Sequence, residues 1–293
     1  MSAPTPPHAL AGDPEGAAVP DGVELFDAHV HLFPPRLFEA IWRWFDAHAW
    51  PIRYRLHAEE VVEFLRQRRV RRFAGLCYSH KPGLAPVLNQ AMYELGRAHP
   101  ELVPLGTVLP GEPDARRILD DAFGRLGLRG LKLHCHVQKM GADDPRLFEV
   151  YQACVDADRP VILHAGREPS FAAYGVDTRA LCAAAQIERV LQRYPKLKLV
   201  VPHLGMDELA EYEALLRRYE NLWLDTTMAI GEYFAVPVPP TLFPELAERM
   251  LYGTDFPNLP YAWDRELHKV LTSGLAPTAQ RQLLWGNAAR LFD

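Results

Sequence analysis

The stretch LFDAHVHLF, residues 25–33, decides how the rest of the chain is read. Successive side chains of a β-strand point to opposite faces, so a regular strand here puts Asp27, His29 and His31 on one side and Phe26, Ala28, Val30 and Leu32 on the other. Two imidazoles two residues apart at the end of a strand can grip one metal ion from a single rigid element. An HxH pair by itself recurs by chance, so its weight depends on what surrounds it.

Outward from this stretch, short apolar runs alternate with longer helical patterns, as βα units of a parallel sheet do. Eight runs read as strands, at 23–31, 71–77, 102–109, 128–135, 160–164, 197–203, 222–226 and 250–255. Helical stripes lie between them, for example Met206, Leu209, Tyr212, Leu215, Leu216 and Tyr219, and also Leu147, Val150, Tyr151 and Cys154; their spacing reads as core packing. Eight such alternations match the size of a (β/α)₈ TIM barrel. A doubly wound open sheet would carry a glycine-rich phosphate turn after its first strand, where this chain has HVHLFPP. The expected organisation is a single α/β barrel domain over residues 23–293. Residues 1–22, rich in Pro, Ala and Gly and without the basic start and apolar stretch of a signal peptide, read as a disordered leader.

Composition excludes several classes. With 293 residues, 48% of them hydrophobic, the chain can bury a large core. Its formal net charge of −5 gives no bulk attraction to nucleic acid or to an anionic membrane surface. The one basic run, RQRRVRR at 66–72, reads as a solvated helix end. No apolar stretch is long enough to span a bilayer. Four cysteines without a CxxC pair fit a reducing, cytoplasmic setting.

Other predicted strands also end in metal-ligating residues. VILHAG ends the fifth with His164, LVVPHLG the sixth with His203, and LYGTDFP the eighth with Asp255. Barrel active sites lie at the C-terminal ends of the strands, so these side chains converge with His29 and His31 on one mouth, with the polar set of 25–33 facing the barrel axis and the apolar set, Phe26 and Ala28 among it, facing the helices. A buried cluster of this kind without an ion would lack partners. The fourth strand, GLKLHCHV, turns Lys132, His134 and His136 inward by the same alternation. A bare ammonium there is opposed by desolvation and by repulsion from a cation site. Two readings follow: Lys132 pairs with a carboxylate such as Asp27 or Asp255, or its amine is carboxylated to an anion able to bridge two metals.

Taken together, FDAHVHLF, GLKLH, ILHAG, VVPHLG, YGTDFPN and the closing WGNAARLF resemble the amidohydrolase superfamily, in particular the branch that holds hydrolases and non-oxidative decarboxylases. The resemblance runs over residues 23–292. It implies that His29, His31, His164 and Asp255 bind metal, and that His203 either holds a second ion or acts beside a single one. GLKLH is also similar to the urease segment in which a carboxylated lysine bridges two ions, which implies that role for Lys132 and a place beside substrate for His134. His136 matches no role in the family.

The expected chemistry is a divalent ion, zinc or manganese, one or two per chain, that acidifies water. Asp255 is placed to take the proton, and His203 or His134 to stabilise the developing oxyanion. Arg167 follows the fifth strand, either as a clamp for a substrate carboxylate or as a surface partner of Glu168. Tyr78, Ser79 and His80 follow the second strand at the same mouth. The long first loop, 33–57, with Trp42, Trp44, Trp50 and Tyr54, has the aromatic content of a lid or a homo-oligomer contact, with a buried helix core as the third option. The expected partner is a small-molecule substrate. Hydrolysis of an amide, lactone or ester is the first reading of function, decarboxylation of an aromatic or unsaturated acid the second, and a binder without catalysis the third. An intact ligand set argues against the last.

Overall fold

The computed structural model describes residues 12–234 and 242–293. Eight parallel strands follow in chain order: β1 (Phe26–His31), β2 (Arg72–Leu76), β3 (Leu102–Pro104), β4 (Leu131–His134), β5 (Val161–His164), β6 (Leu199–Val201), β7 (Leu222–Asp225) and β8 (Met250–Leu251). β1 to β3 pair in one sheet and β4 to β8 in another. Parallel bridges between Val30 and Phe256 and between Gly106 and Leu131 join the two sheets at both seams and close the barrel. All eight expected strands are present, each shorter than its apolar run because the flanking residues belong to the loops.

β1 departs from simple alternation. Its register against β2 runs from Phe26 opposite Arg72 and Asp27 opposite Phe73 to Val30 opposite Gly75 and His31 opposite Leu76. Four residues of β1 therefore span three of β2, which is a β-bulge at Ala28 and His29. Below the bulge, Phe26 and Ala28 join Ala74, Leu76, Val103, Leu105, Ile162, Val200 and Leu251 in one buried cluster. A cluster fed by strands all round the ring is the barrel interior. Above the bulge the phase has changed, and His29 and His31 face the axis instead. The expectation that Phe26 and Ala28 pack outward on the helices is corrected accordingly. The interior is closed from below by Ala288, Leu291 and Phe292 of the helix Asn287–Phe292, with Phe292 tilted against Phe26 at 5.8 Å.

Outside the strands, Leu131, Leu133, Val161, Leu163 and Leu199 pack against helix residues such as Val150, Ile187 and Leu191 in the main core. The segment 33–57, read from sequence as a long loop, is mostly the helix Pro35–His48, which starts on a proline at its first turn, where the missing N–H costs nothing. Of the segment read as a disordered leader, residues 1–11 lie outside the described residues. Residues 12–22 run along the barrel: Asp13 accepts from the Ala262 amide at 3.0 Å, and Val19 is buried. No helix among the described residues is long and apolar enough to cross a membrane.

Candidate metal centre

Three ligand atoms meet at the mouth of the barrel. His29, His31 and Asp255 offer donors that all lie within 4.8 Å of one another, and all three residues are buried. Asp255 Oδ1 lies 3.0 Å from His31 Nε2 and 3.4 Å from His29 Nε2. The arrangement rests on a partner outside the group. Asp225, at the end of β7, receives the His29 Nδ1 proton at 2.8 Å, which leaves the Nε2 lone pair turned toward Asp255. Burial drives the His29 pKa down to about 3, so the ring is neutral. Burial alone would raise Asp225, yet His29 and His203 outweigh it and hold the carboxylate ionised. Asp255 follows the same balance, with His31 and His29 outweighing burial and keeping its pKa below the usual range. Two imidazoles and an ionised carboxylate form a fitting donor set for a divalent ion such as zinc or manganese.

Backbone geometry confirms how tightly these residues are held. Asp255 has φ +76° and His203 φ +59°, left-handed values that non-glycine residues adopt only where the surroundings impose them. At Gly253 a Cβ would come within 2.4 Å of Thr227 Oγ1 and 2.9 Å of His29 Cβ, so the β8 loop approaches β1 as closely as glycine permits.

Lys132 enters from the adjoining wall. It is fully buried, and Nζ lies 3.2 Å from His29 Nε2, on the side where that nitrogen's lone pair points. No carboxylate oxygen lies within salt-bridge distance of it among the described residues, because Asp27 is bound to Thr254 (Oγ1 at 2.5 Å) and Asp255 to His31. Desolvation lowers the amine to about 8, only partly offset by Asp225 and Asp255. The reading of Lys132 as the partner of Asp27 or Asp255 is therefore corrected. Asp27 does not join the metal group either: it lies on the other face of β1 and is pushed up to about 7 by burial.

A histidine chain continues from the centre. His203 Nδ1 donates to the Thr227 carbonyl at 2.8 Å, so its Nε2 must accept, and it accepts from His164 Nδ1 at 3.1 Å. His164 is thereby left with a bare Nε2, which has no protein partner. Its ring stacks on His134 with centroids 4.0 Å apart, and His136 lies beside both. β4 stops at His134, and Cys135–Gln138 is one helical turn. The Gln138 side chain drives this change by accepting from the His134 amide and donating to the carbonyls of Ser79 and Val108.

Above these groups opens a cavity of about 410 Å³. Its floor includes His31, His134, His136, His164, His203 and Asp255; its walls include Phe33, Leu37, Ile41, Trp44, Trp50, Tyr78, Tyr174 and Met228. A family model described as amidohydrolase matches residues 26–293, from the start of β1 to the last residue.

The chain belongs to the amidohydrolase family.

Amidohydrolases are divalent-metal enzymes, and solved structures similar to this one cover 92% of the chain. They include an uncharacterised TIM-barrel protein from Bordetella bronchiseptica (24% identity, TM-score 0.70, 98% of that chain covered). A 5-carboxyvanillate decarboxylase from Novosphingobium aromaticivorans, complexed with manganese and 4-hydroxy-3-methoxy-5-nitrobenzoic acid, is similar at 14% identity and TM-score 0.63 over 96% of its length. A probable 2-pyrone-4,6-dicarboxylic acid hydrolase from Acinetobacter baumannii with bound citric acid is similar at 16% identity and TM-score 0.61 over 99% of its length. At these identities the likeness is one of fold. No curated protein sequence matches the chain.

Within this amidohydrolase, the residues expected from sequence fall into two groups. His29, His31 and Asp255 stand together, with Lys132 against His29 and His203 behind. His164 is hydrogen-bonded to His203 and also lies beside His134 and His136, with which its ring nitrogen forms a second group of close donors. Arg167 is turned to its own neighbours, bound to Asp207 and Glu208 at 3.2 Å each, and does not line the cavity. Its pairing is thus with these two acids, while Glu168 pairs with Arg179. Tyr78 and His80 do reach the cavity, as does Lys139, which sequence reading passed over. Asp225 was missed as well, although it ends a predicted strand as His164 and Asp255 do. Trp44 and Trp50 line the cavity, whereas Tyr54 packs in the core against Phe64 and Phe256.

Proposed function

We propose that this amidohydrolase is a metal-dependent hydrolase that opens an amide, lactone or ester carbonyl of a small, flat, largely apolar substrate. The observation that carries the reading is Asp255, an ionised carboxylate shared between His31 and His29 at the floor of an aromatic cavity. His29, His31 and Asp255 would hold the ion, zinc or manganese, with Lys132 adjacent as a free or carboxylated amine. A divalent ion in that position supplies Lewis acidity toward a carbonyl oxygen and acidifies water in its reach. Asp255 takes the proton of the attacking water on its carboxylate. The His203–His164 hydrogen bond offers a path along which a proton can pass between neutral rings, and so reach a leaving group. Trp44, Trp50, Tyr78 and Tyr174 exclude water from around the substrate and suit a planar ring. With Arg167 engaged elsewhere, Lys139 is the ammonium at the cavity and would meet an anionic end of the substrate, with His134 beside it. The four cysteines are buried thiols without disulfide partners, which supports a reducing, cytoplasmic location.

A second reading, decarboxylation of an aromatic acid, is favoured by the aromatic walls and by the likeness to 5-carboxyvanillate decarboxylases. A panel of aryl lactones, aryl esters and aromatic acids, assayed with zinc and with manganese in ¹⁸O-water, separates the two. Hydrolysis puts one ¹⁸O into the product carboxylate, whereas decarboxylation gives carbon dioxide and a decarboxylated arene into which no ¹⁸O is incorporated. Asp255→Asn is expected to lower kcat/KM at least about 10³-fold while the fold is kept. Full activity in Asp255→Asn would overturn the assignment of the base.

A further inference from the structure

The loop 255–264 carries Asp255 away from β8 and gains little hold from its own polar side chains: Asn258 Oδ1, Tyr261 Oη and Trp263 Nε1 are buried without a protein hydrogen-bond partner. Its main chain is held instead. On the inner side the Asp255 amide donates to the His29 carbonyl at 2.9 Å, and the Phe256 carbonyl accepts from the His31 amide at 2.7 Å. On the outer side the ties come from the segment 50–54. Trp50 Nε1 donates to the Asn258 carbonyl at 2.8 Å, the Arg53 amide donates to the Leu259 carbonyl at 2.8 Å, and Tyr54 Oη accepts from the Trp263 amide at 3.0 Å. Tyr54 also packs its ring on Phe256, the residue after Asp255, with centroids 5.0 Å apart.

Tyr54 is itself fixed by the arm that precedes β1. Its hydroxyl donates to Glu15, whose carboxylate also meets Arg53 at 3.3 Å and Arg68 at 3.4 Å. To either side, Asp13 accepts from the Ala262 amide at 3.0 Å and the Gly16 amide donates to Asp264 Oδ2 at 2.6 Å. Hydrogen bonds in a chain polarise one another, so a hydroxyl that donates to a carboxylate is a better acceptor for the Trp263 amide. We propose that Glu15 and Tyr54 are positioning residues for Asp255: the arm fixes Tyr54, and Tyr54 fixes the loop 255–264 against β1. The proposal rests on the reading of His29, His31 and Asp255 as metal ligands. Asp255 keeps its left-handed backbone, φ +76°, only while its surroundings impose it. With the outer ties loosened, its carboxylate drifts from His31 and the ion is held less tightly.

In the full chain, stripped with a chelator and titrated with zinc, Tyr54→Phe and Glu15→Ala are each expected to weaken binding about 10-fold, as loss of a ligand's support does. The double variant is expected to bind as either single one does, because the two side chains act along one route. Asp21→Ala removes an exposed arm pair with Arg69 and is expected to leave the affinity unchanged. A merely structural role would lower the melting temperature of Tyr54→Phe without moving its zinc affinity, and that result overturns the proposal. Additive losses in the double variant, or equal weakening in Asp21→Ala, overturn it too. His31→Ala separates the brace from the centre it serves. If that variant binds zinc as tightly as the unsubstituted protein, the metal centre is misassigned and the brace falls with it; lost binding in His31→Ala beside unchanged binding in Glu15→Ala refutes the brace alone.

Discussion

Lys132 shows how much chemistry one buried side chain can carry. Its folded pKa of about 8 lies below the ordinary 10.5, so the unfolded chain holds the proton more tightly. The cost to stability is therefore fully present below pH 8, and stability rises as pH climbs from 8 to 10.5. In metal-free protein, Lys132→Met is expected to raise the melting temperature at pH 7 by roughly 3 °C or more, with the gain shrinking toward pH 10.5. Calorimetry across that range checks it. A Lys132→Met protein that can no longer hold metal would instead mark a carboxylated amine. Glu266 makes the converse case away from the metal centre. Burial raises its carboxyl well above 4.5, and the nearby Asp27 and Asp225 oppose ionisation further. The folded state binds that proton more tightly than the unfolded chain, so stability falls as pH rises above 4.5. Glu266→Gln should melt higher than the unsubstituted protein at pH 8 and no higher at pH 4. An equal melting temperature at pH 8 would show that the carboxyl is solvated.

At the scale of the element, the loop leaving β8 acts as a clamp on β1. Gly253 lies where any side chain would strike Thr227 and His29, so Gly253→Ala should displace His29 and weaken zinc binding by about 10- to 100-fold, the usual cost of disturbing a ligand's support. A competition titration with a chromogenic chelator measures it, and unchanged affinity would mean the loop has slack. This scale also separates what sequence could reveal from what it could not. The eight strands were legible because apolar runs alternate with helical stripes, and the strand-end rule found His29, His31, His164, His203 and Asp255. The bulge was not legible, since a period of two cannot register an inserted residue, and so Phe26 and Ala28 were assigned to the wrong face. Asp225 obeyed the strand-end rule but does its work through His29, a partner 196 residues away. Arg167 was misread for the same reason: Asp207 and Glu208 lie about 40 positions on, and only the fold brings them to it. The helix Pro35–His48 was passed over too, although Pro34 and Pro35 mark its start, because its aromatic side chains were weighed without its backbone pattern.

For the molecule as a whole, the barrel is stoppered at both ends by different means. Aromatic side chains of the segment after β1 cover the mouth, with Trp44 stacked on Tyr174 at 4.9 Å. The base is filled by the helix Asn287–Phe292, and Arg72 anchors Asp293 beside it at 2.8 Å. Phe292→Ala removes a ring from the centre of that plug and is expected to cost about 3–5 kcal/mol of stability, read by urea denaturation. A loss under about 1 kcal/mol would mean that the base can collapse around the gap. The bulge in β1 gives this architecture a further property. Along the inward face of one six-residue strand, the side chains before the shift, Phe26 and Ala28, fill space, and those after it, His29 and His31, present ligands. These two inward pairs can therefore be redesigned separately, as long as the single extra residue that separates them is kept.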